Sequence, residues 1–124
     1  MSARALNIYQ RVNQETASPV RLLDQLYARL LRDIDDAAAM IAAKEVGAKG
    51  AAISHAIAIV SELVAGLDFG LAPEMCAGLK KLYDFVSDRL TEANMRIDAK
   101  PLGEARKIVV VLRQSFEEAA EARW

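Results

Sequence analysis

The stretch "SPVRLLDQLYARLLRDIDDAAAMIAA" (residues 18–43) contains the clearest helical pattern in the chain. Proline is well tolerated in the first turn of a helix, and serine is a common cap for helix N-termini. Ser18 and Pro19 therefore predict a helix start. The apolar residues that follow recur at steps of three and four, which places them on one helical face. They are Leu23, Tyr27, Leu30, Ile34, Ala37 and Ile41.

Three further segments repeat this spacing, and prolines or glycines separate them. We predict helices over about residues 51–68, 73–97 and from 101 onward, with Gly47 and Gly50 providing the first break. The predicted core positions of these three helices are Ile53, Ile57, Val60, Val64 and Leu67; then Met75, Leu79, Leu82, Val86, Leu90, Ala93 and Ile97; and then Leu102, Ala105, Val109, Leu112, Phe116 and Ala119.

Short connections make consecutive helices antiparallel neighbours. A chain of 124 residues is long enough to bury one core. We therefore predict an all-α fold, an antiparallel up-down four-helix bundle over residues 18–124, preceded by a short N-terminal segment, residues 1–17. Tyr27 and Tyr83 are each expected to pack beside a core leucine with the hydroxyl group near the rim.

The composition is 53% hydrophobic and 27% charged, as expected of a globular protein. The net charge of −1 argues against binding to nucleic acid or to an anionic membrane surface, because an anionic partner favours a basic face. The opening "MSARALNIYQ" lacks the apolar run of a signal peptide, and no continuous apolar run approaches the ~18 residues of a membrane span. The single cysteine, Cys76, cannot form an internal disulfide, so we expect a cytoplasmic protein.

The chain offers few residues for catalysis or metal binding. His55 has no glutamate three residues before it, which the inward-facing pairs of di-iron bundles require. Cys76 and His55 show no local signature of a nucleophile and its base, and Asp35 and Asp36 point about 100° apart on a helix. We therefore predict a protein that is not an enzyme and holds neither cofactor nor metal. A small ligand- or haem-binding bundle is an alternative.

Several large apolar residues fall away from the predicted core faces when each residue advances about 100° around its helix. They are Ile59 on the second helix, Phe85 and Met95 on the third, and Val110 and Val111 on the fourth. Val110 and Val111 diverge to opposite sides, so the fourth helix is apolar nearly all round. Such a helix is usually covered by a partner, which indicates a groove for a partner helix or a dimer contact.

Several motifs together are similar to one family, the flagellar secretion chaperones known as FliS. In chain order they are Tyr9, "TASP" (16–19), "LLDQLY" (22–27), "IVSELVAGLD" (59–68), "LKKLYDFVSDRLTEANMRID" (79–98) and "LRQSF" (112–116). "TASP" alone is a weak signal, but its combination with "LYDF" and "TEAN" at this spacing is specific. The chain departs from the family pattern at Ala28, where an acidic residue is frequent, and at Phe116, where tryptophan is frequent.

The resemblance implies a cytoplasmic, non-enzymatic chaperone that binds the C-terminal helical segment of flagellin. Covering that segment would prevent premature polymerisation and keep the subunit export-competent for the flagellar type III secretion gate, where the complex would dock. Other flagellar regulators are left open as further partners. The resemblance also implies that the N-terminal segment lies over part of the client groove, where Leu6 and Tyr9 match its apolar and tyrosine positions.

The expected client-binding residues are Leu6, Ile8, Tyr9, Ile59, Val110 and Val111. Leu6 and Tyr9 follow from the resemblance, whereas Ile8 is added from its place in the sequence ahead of the first helix. The other three follow only from their angular positions on the predicted helices. The alternative function is a structural homodimer module in which the fourth helix pairs with itself.

Overall fold

The computed structural model describes residues 19–123, and within this range the chain is almost entirely helical. The helices are α1 (Pro19–Ala42), α2 (Val46–Ala65), α3 (Pro73–Arg96) and α4 (Lys100–Arg123). No strand occurs between residues 19 and 123, so the predicted all-α fold is confirmed. The predicted cap at Ser18 and the segment 1–17 lie outside the described residues.

The helices pack as antiparallel neighbours: α1 lies between α2 and α4, and α3 contacts the same two helices. Two ion pairs between α1 and α4 show their relative direction. Arg113 Nε donates to Asp24 Oδ1 at 2.8 Å, and Arg106 Nε donates to Asp35 Oδ1 at 2.9 Å. The residue number falls along α4 as it rises along α1, so these helices run antiparallel, as an up-down bundle requires.

The connection between α1 and α2 is a short turn, residues 43–45. Lys44 adopts the left-handed conformation, with a φ of 62°. The Lys44 N–H donates to the Ile41 carbonyl at 3.1 Å, and the Glu45 N–H donates to the Met40 carbonyl at 2.8 Å. These two bonds are those of a Schellman motif, so the last carbonyls of α1 are satisfied without a glycine.

The predicted break at Gly47 and Gly50 is wrong, because both glycines lie inside α2, which begins at Val46. The chain has already reversed at Lys44, and neither glycine has a positive φ. A glycine within a helix costs only about 0.5–1 kcal/mol relative to alanine. Packing of α2 against its neighbours outweighs this cost, so the glycines do not end the helix.

The C-terminal end of α3 uses a similar device at Ile97, whose φ is 52°. The Asp98 N–H donates to the Ala93 carbonyl at 3.2 Å. The prediction that Ile97 belongs to the core is wrong, since its side chain is 48% exposed. The helix ends at Arg96, and the left-handed turn carries Ile97 away from the buried face, in a conformation that is costly for a β-branched residue.

Buried side chains from all four helices form one cluster. On α1 and α4 they follow the predicted faces, apart from the half-buried Ile41. On α2 the buried face is rotated: Ile59 and Leu63 are buried, whereas Ile57 and Val64 are half-buried and pack against the core. Ile59 therefore belongs to the core and not to an exposed face.

On α3 the buried face includes Tyr83 and not Leu82. Tyr83 is 1% exposed and Leu82 is 38% exposed, so the prediction that Leu82 belongs to the core is wrong. The hydroxyl groups of Tyr83 and Tyr27 lie 2.6 Å apart and share a hydrogen bond inside the bundle, so the prediction that they lie near the rim is wrong. Phe116 packs beside Tyr27 with ring centroids 6.0 Å apart. The shared bond offsets the cost of burying two phenolic groups.

By length and composition alone, α2 could cross a membrane, and it is the one such helix among the described residues. This finding departs from the sequence prediction, which considered only continuous apolar runs. In the bundle α2 contributes side chains such as Ile53, Val60 and Leu63 to the core. Most of its exposed positions are alanine, glycine or serine. The helix α2 is therefore apolar because it contributes side chains to the core, and its exposed face carries mostly small side chains.

Replacing either tyrosine by phenylalanine removes the shared hydrogen bond. We expect Tyr27→Phe and Tyr83→Phe each to lower the free energy of unfolding by about 1 kcal/mol. Because both changes remove the same bond, the double variant should be destabilised by less than the sum of the single variants. Urea unfolding followed by circular dichroism measures all three, and strict additivity would show that the hydroxyl groups do not interact.

Candidate functional site

Large hydrophobic side chains are exposed at eight of the described positions. They are Val46, Phe69, Leu71, Leu82, Phe85, Met95, Ile97 and Val111. Single exposed apolar residues are ordinary on a protein surface, so their arrangement decides whether they have a role. At about 100° per residue, Leu82 and Phe85 fall on the side of α3 nearer α4, and Val111 falls on the side of α4 nearer α3.

One ion pair sets the register of α3 against α4. Arg89 Nη1 lies 3.8 Å from Glu104 Oε1. In antiparallel helices that share a rise of about 1.5 Å per residue, Leu82 then stands opposite Val111. Side chains three or four positions apart occupy the same helix face, so the apolar residues of both helices line one continuous surface.

We call this surface the α3–α4 groove, and it consists of Met75, Gly78, Leu82, Phe85, Ile108 and Val111. Met75 and Ile108 are half-buried and pack against the core, so they form its floor. Leu82, Phe85 and Val111 are exposed and form its rims. Gly78 leaves open space, since a Cβ atom built there would meet nothing within 4 Å. The groove is therefore apolar and shallow.

The two ends of the α3–α4 groove differ. Near the first turn of α3 lies a cavity of about 320 Å³, lined by residues 71–75. At the other end, the Arg89 guanidinium carbon lies 5.8 Å from the centre of the Phe85 ring. From Met75 to Arg89 the groove runs about 21 Å, the length of a helix of about 14 residues. An apolar groove of this length suits an amphipathic helix.

A second cavity, of about 560 Å³, lies along the outer face of α4. It is lined by Gly103, Arg106, Lys107, Val110 and Val111. Val111 therefore borders both this cavity and the α3–α4 groove. The Arg106 side chain is held by Asp35 of α1, so this cavity has an ion pair at its edge, whereas the α3–α4 groove has apolar rims.

The structure places the sequence-predicted binding residues in different environments. Val111 is 58% exposed, in agreement with its predicted angle. Val110 is half-buried and packs against the core. Ile59 is 3% exposed, so its predicted place on an exposed face is wrong. Leu6, Ile8 and Tyr9 lie outside the described residues.

Sequence reasoning missed Leu82, Gly78 and Arg89. Leu82 falls within the predicted core face of the third helix, which hides its part in the groove. Tyr83 is the signal that could have revealed it, because a core face drawn through Tyr83 turns Leu82 outward, toward the side of Phe85. A glycine inside a helix also marks a position where a side chain is dispensable or unwelcome, and Gly78 is such a position.

The polar groups that sequence analysis singled out serve structural contacts. His55 Nε2 lies 3.0 Å from Arg29 Nη2, and its Nδ1 contacts Asp33, so it links α2 to α1 at the surface. Burial raises the pKa of the Cys76 thiol, which disfavours the nucleophilic thiolate. Within the described part of the chain, no group of three or more His, Cys, Asp or Glu side chains could hold a metal ion.

A family model described as "Flagellar protein FliS" matches residues 1–123. The chain belongs to the FliS family.

The flagellar secretion chaperone FliS of Salmonella typhimurium strain LT2 is 30% identical over 122 residues, which cover 94% of this chain and 90% of that protein. The flagellar secretion chaperone FliSB of Pseudomonas aeruginosa PAO1 is 28% identical, with 92% and 94% covered. The flagellar secretion chaperone FliS of Bacillus subtilis 168 is 29% identical, with 92% and 84% covered.

Membership of the FliS family makes the chain a flagellar secretion chaperone. A chaperone needs a surface that accepts another polypeptide. Of the surfaces described above, the α3–α4 groove has the most exposed apolar side chains in one place. The groove is therefore the candidate site for a FliS client.

The ion pair between Asp24 and Arg113 makes stability depend on pH. The hydrogen bond from Arg113 holds the pKa of the Asp24 carboxyl below its ordinary value of 3.8. Because the carboxyl pKa is lower in the folded chain, the ion pair stabilises the fold at every pH above the ordinary pKa. This contribution to the free energy of unfolding is lost as the pH falls through the lower, folded-state pKa. We expect Asp24→Asn to reduce the free energy of unfolding near neutral pH and to have less effect in strong acid.

Urea unfolding at neutral and strongly acidic pH measures this difference. Asp36→Asn, on the exposed face of the same helix, controls for the loss of a surface carboxylate. An Asp24→Asn penalty that stays the same in acid would contradict the account of this ion pair.

Proposed function

We propose that the chain binds the C-terminal, helix-forming segment of flagellin in the α3–α4 groove. The observation that carries the proposal is the set of exposed apolar rims, Leu82, Phe85 and Val111, on two adjacent helices of a flagellar secretion chaperone. A client helix with apolar residues every three or four positions would bury these rims along its length. The groove is long enough for about four helical turns.

Binding of this kind would keep flagellin from polymerising before it is exported. A tail that folds only on binding loses conformational entropy, so apolar burial in the groove has to offset that loss. The resulting affinity is moderate for the area buried, which favours release. We propose the cytoplasm as the compartment and the flagellar export gate as the place where the client is handed over, with other flagellar regulators as additional partners to test.

We further propose that residues 1–17 cover part of the α3–α4 groove when no client is bound. The support is geometric and compositional. In an up-down bundle the first residues of α1 and α3 lie at the same end, so the segment leads into α1 near the cavity of about 320 Å³. Leu6, Ile8 and Tyr9 give it apolar side chains that would compete with the client for the same surface.

A charge placed on the rim of the groove tests client binding. We expect Val111→Asp to weaken binding of a flagellin C-terminal peptide by at least about tenfold, because a carboxylate in an apolar contact is costly to desolvate. The melting temperature should change little, since the side chain is exposed. Val46→Asp, at an exposed apolar position on α2, is the matched control and should leave peptide binding intact.

Isothermal titration with the peptide and thermal unfolding of each variant give these values. Unchanged peptide affinity in Val111→Asp would contradict a client site at this rim. If that variant instead converts a dimer to a monomer in sedimentation equilibrium and still binds the peptide, the homodimer function accounts for Val111.

Removing the N-terminal segment tests the proposed cover. We expect a chain that begins at Ser18 to keep its helical content and to bind the flagellin peptide more tightly, because the internal competitor is gone. Circular dichroism and peptide titration of the full and shortened chains provide the comparison. Equal affinities would mean that the segment is a tail with no part in the groove.

A further inference from the structure

Arg89 lies at the end of the α3–α4 groove with hydrogen-bonding capacity that the described residues do not use. Its Nε is buried and has no hydrogen-bond partner between residues 19 and 123. Its Nη1 lies 3.8 Å from Glu104 Oε1, which is too long for a hydrogen bond. The guanidinium lies beside the exposed ring of Phe85. A charged, planar donor group is thus held at the edge of the groove by one aromatic contact and one long ion pair.

The arginines that join α4 to α1 are arranged differently. Arg113 donates to both carboxylate oxygens of Asp24, at 2.8 and 3.2 Å, and Arg106 donates to Asp35 at 2.9 Å. These two side chains have carboxylate partners at hydrogen-bonding distance within the bundle. Arg89 also faces a neighbouring helix, yet the Glu104 carboxylate stays 3.8 Å away. The difference points to a partner from outside the bundle.

We propose that Arg89 is the carboxylate receptor of the client groove and selects a client helix with an aspartate or glutamate at the matching position. The inference rests on the proposed client function of this groove. Guanidinium groups bind carboxylates through two parallel hydrogen bonds, which give geometric specificity. A client that covered Arg89 without offering a carboxylate would bury an unpaired charge, so such clients are disfavoured.

The position of Arg89 fixes the spacing of the client motif. Arg89 lies seven positions after Leu82 on α3, which corresponds to about 10 Å and two helical turns. A client helix lying along the groove would therefore carry its acidic residue about seven positions from the apolar residue that packs between Leu82 and Val111. Glu104 is the internal competitor, because its carboxylate already stands near the same guanidinium.

Three substitutions separate this role from a structural one. Arg89→Gln removes the charge. Arg89→Lys keeps the charge but loses the two parallel N–H donors of the guanidinium group. Glu104→Gln removes the competing carboxylate. We expect Arg89→Gln to weaken binding of the flagellin C-terminal peptide by about tenfold or more and Arg89→Lys to weaken it less. Glu104→Gln should tighten binding, because the guanidinium is then free for the client. The melting temperatures of all three variants report on folding.

The peptide itself provides the matching half of the test. Replacing its acidic residues by the corresponding amides, one at a time, should reveal one position whose change weakens binding to the unsubstituted protein. The same change should have no further effect on binding to Arg89→Gln. Titration calorimetry with the full-length chain measures each combination.

The outcomes distinguish this inference from the proposed function on which it rests. If Val111→Asp weakens peptide binding but Arg89→Gln does not, the groove binds the client and Arg89 is not its receptor. If Glu104→Gln weakens binding and also lowers the melting temperature, the Arg89–Glu104 pair serves only to join α3 to α4, and the inference is overturned. If the peptide does not bind the unsubstituted protein, the proposed function itself fails.

Discussion

The hydrogen bond between the buried hydroxyl groups of Tyr27 and Tyr83 allows a polar side chain to occupy the buried face of α3. A phenolic hydroxyl buried without a partner would cost free energy, and Tyr27 supplies the partner that lets Tyr83 point inward. Leu82, one position earlier, lies about 100° around the helix and is thereby turned toward α4 and solvent. Phe85 follows on the same side. The apolar rim that α3 gives to the groove therefore lies beside a face that buries a polar contact in the core.

The contacts between α1 and α4 differ from those between α3 and α4. Between α1 and α4, Arg106 and Arg113 donate to aspartates at 2.9 and 2.8 Å and join the helices at two levels. Between α3 and α4, Arg89 has only a distant carboxylate, at 3.8 Å, and the exposed side chains that line the groove, Leu82, Phe85 and Val111, are apolar. Ion pairs thus join α4 to α1 on one side. On the side of α4 that faces α3, apolar side chains are exposed and the Arg89 guanidinium has unused hydrogen-bond donors. This asymmetry makes the second side suited to a client.

Periodicity predicted the helices and most of the core, because leucine, isoleucine and alanine at three- and four-residue steps leave few alternatives. It could not decide between Leu82 and Tyr83, since the hydroxyl partner of Tyr83 lies 56 positions away in the chain. It also could not place the turn at Lys44, where hydrogen bonds across the end of α1 take the role usually given to glycine. The exposure of Val111 followed correctly from its angle. The roles given to Leu6, Ile8 and Tyr9 lie beyond the described residues and stay predictions.

Methyl NMR of the full-length chain during titration with the flagellin C-terminal peptide tests most directly whether a client helix occupies the α3–α4 groove. We expect the methyl signals of Met75, Leu82 and Val111 to shift together as the peptide is added. The methyl signals of Val46 and Met95, which are exposed but lie outside the groove, should stay in place. Saturable binding that shifts the signals of Val46 or Met95 and leaves those of the groove unchanged would contradict the account.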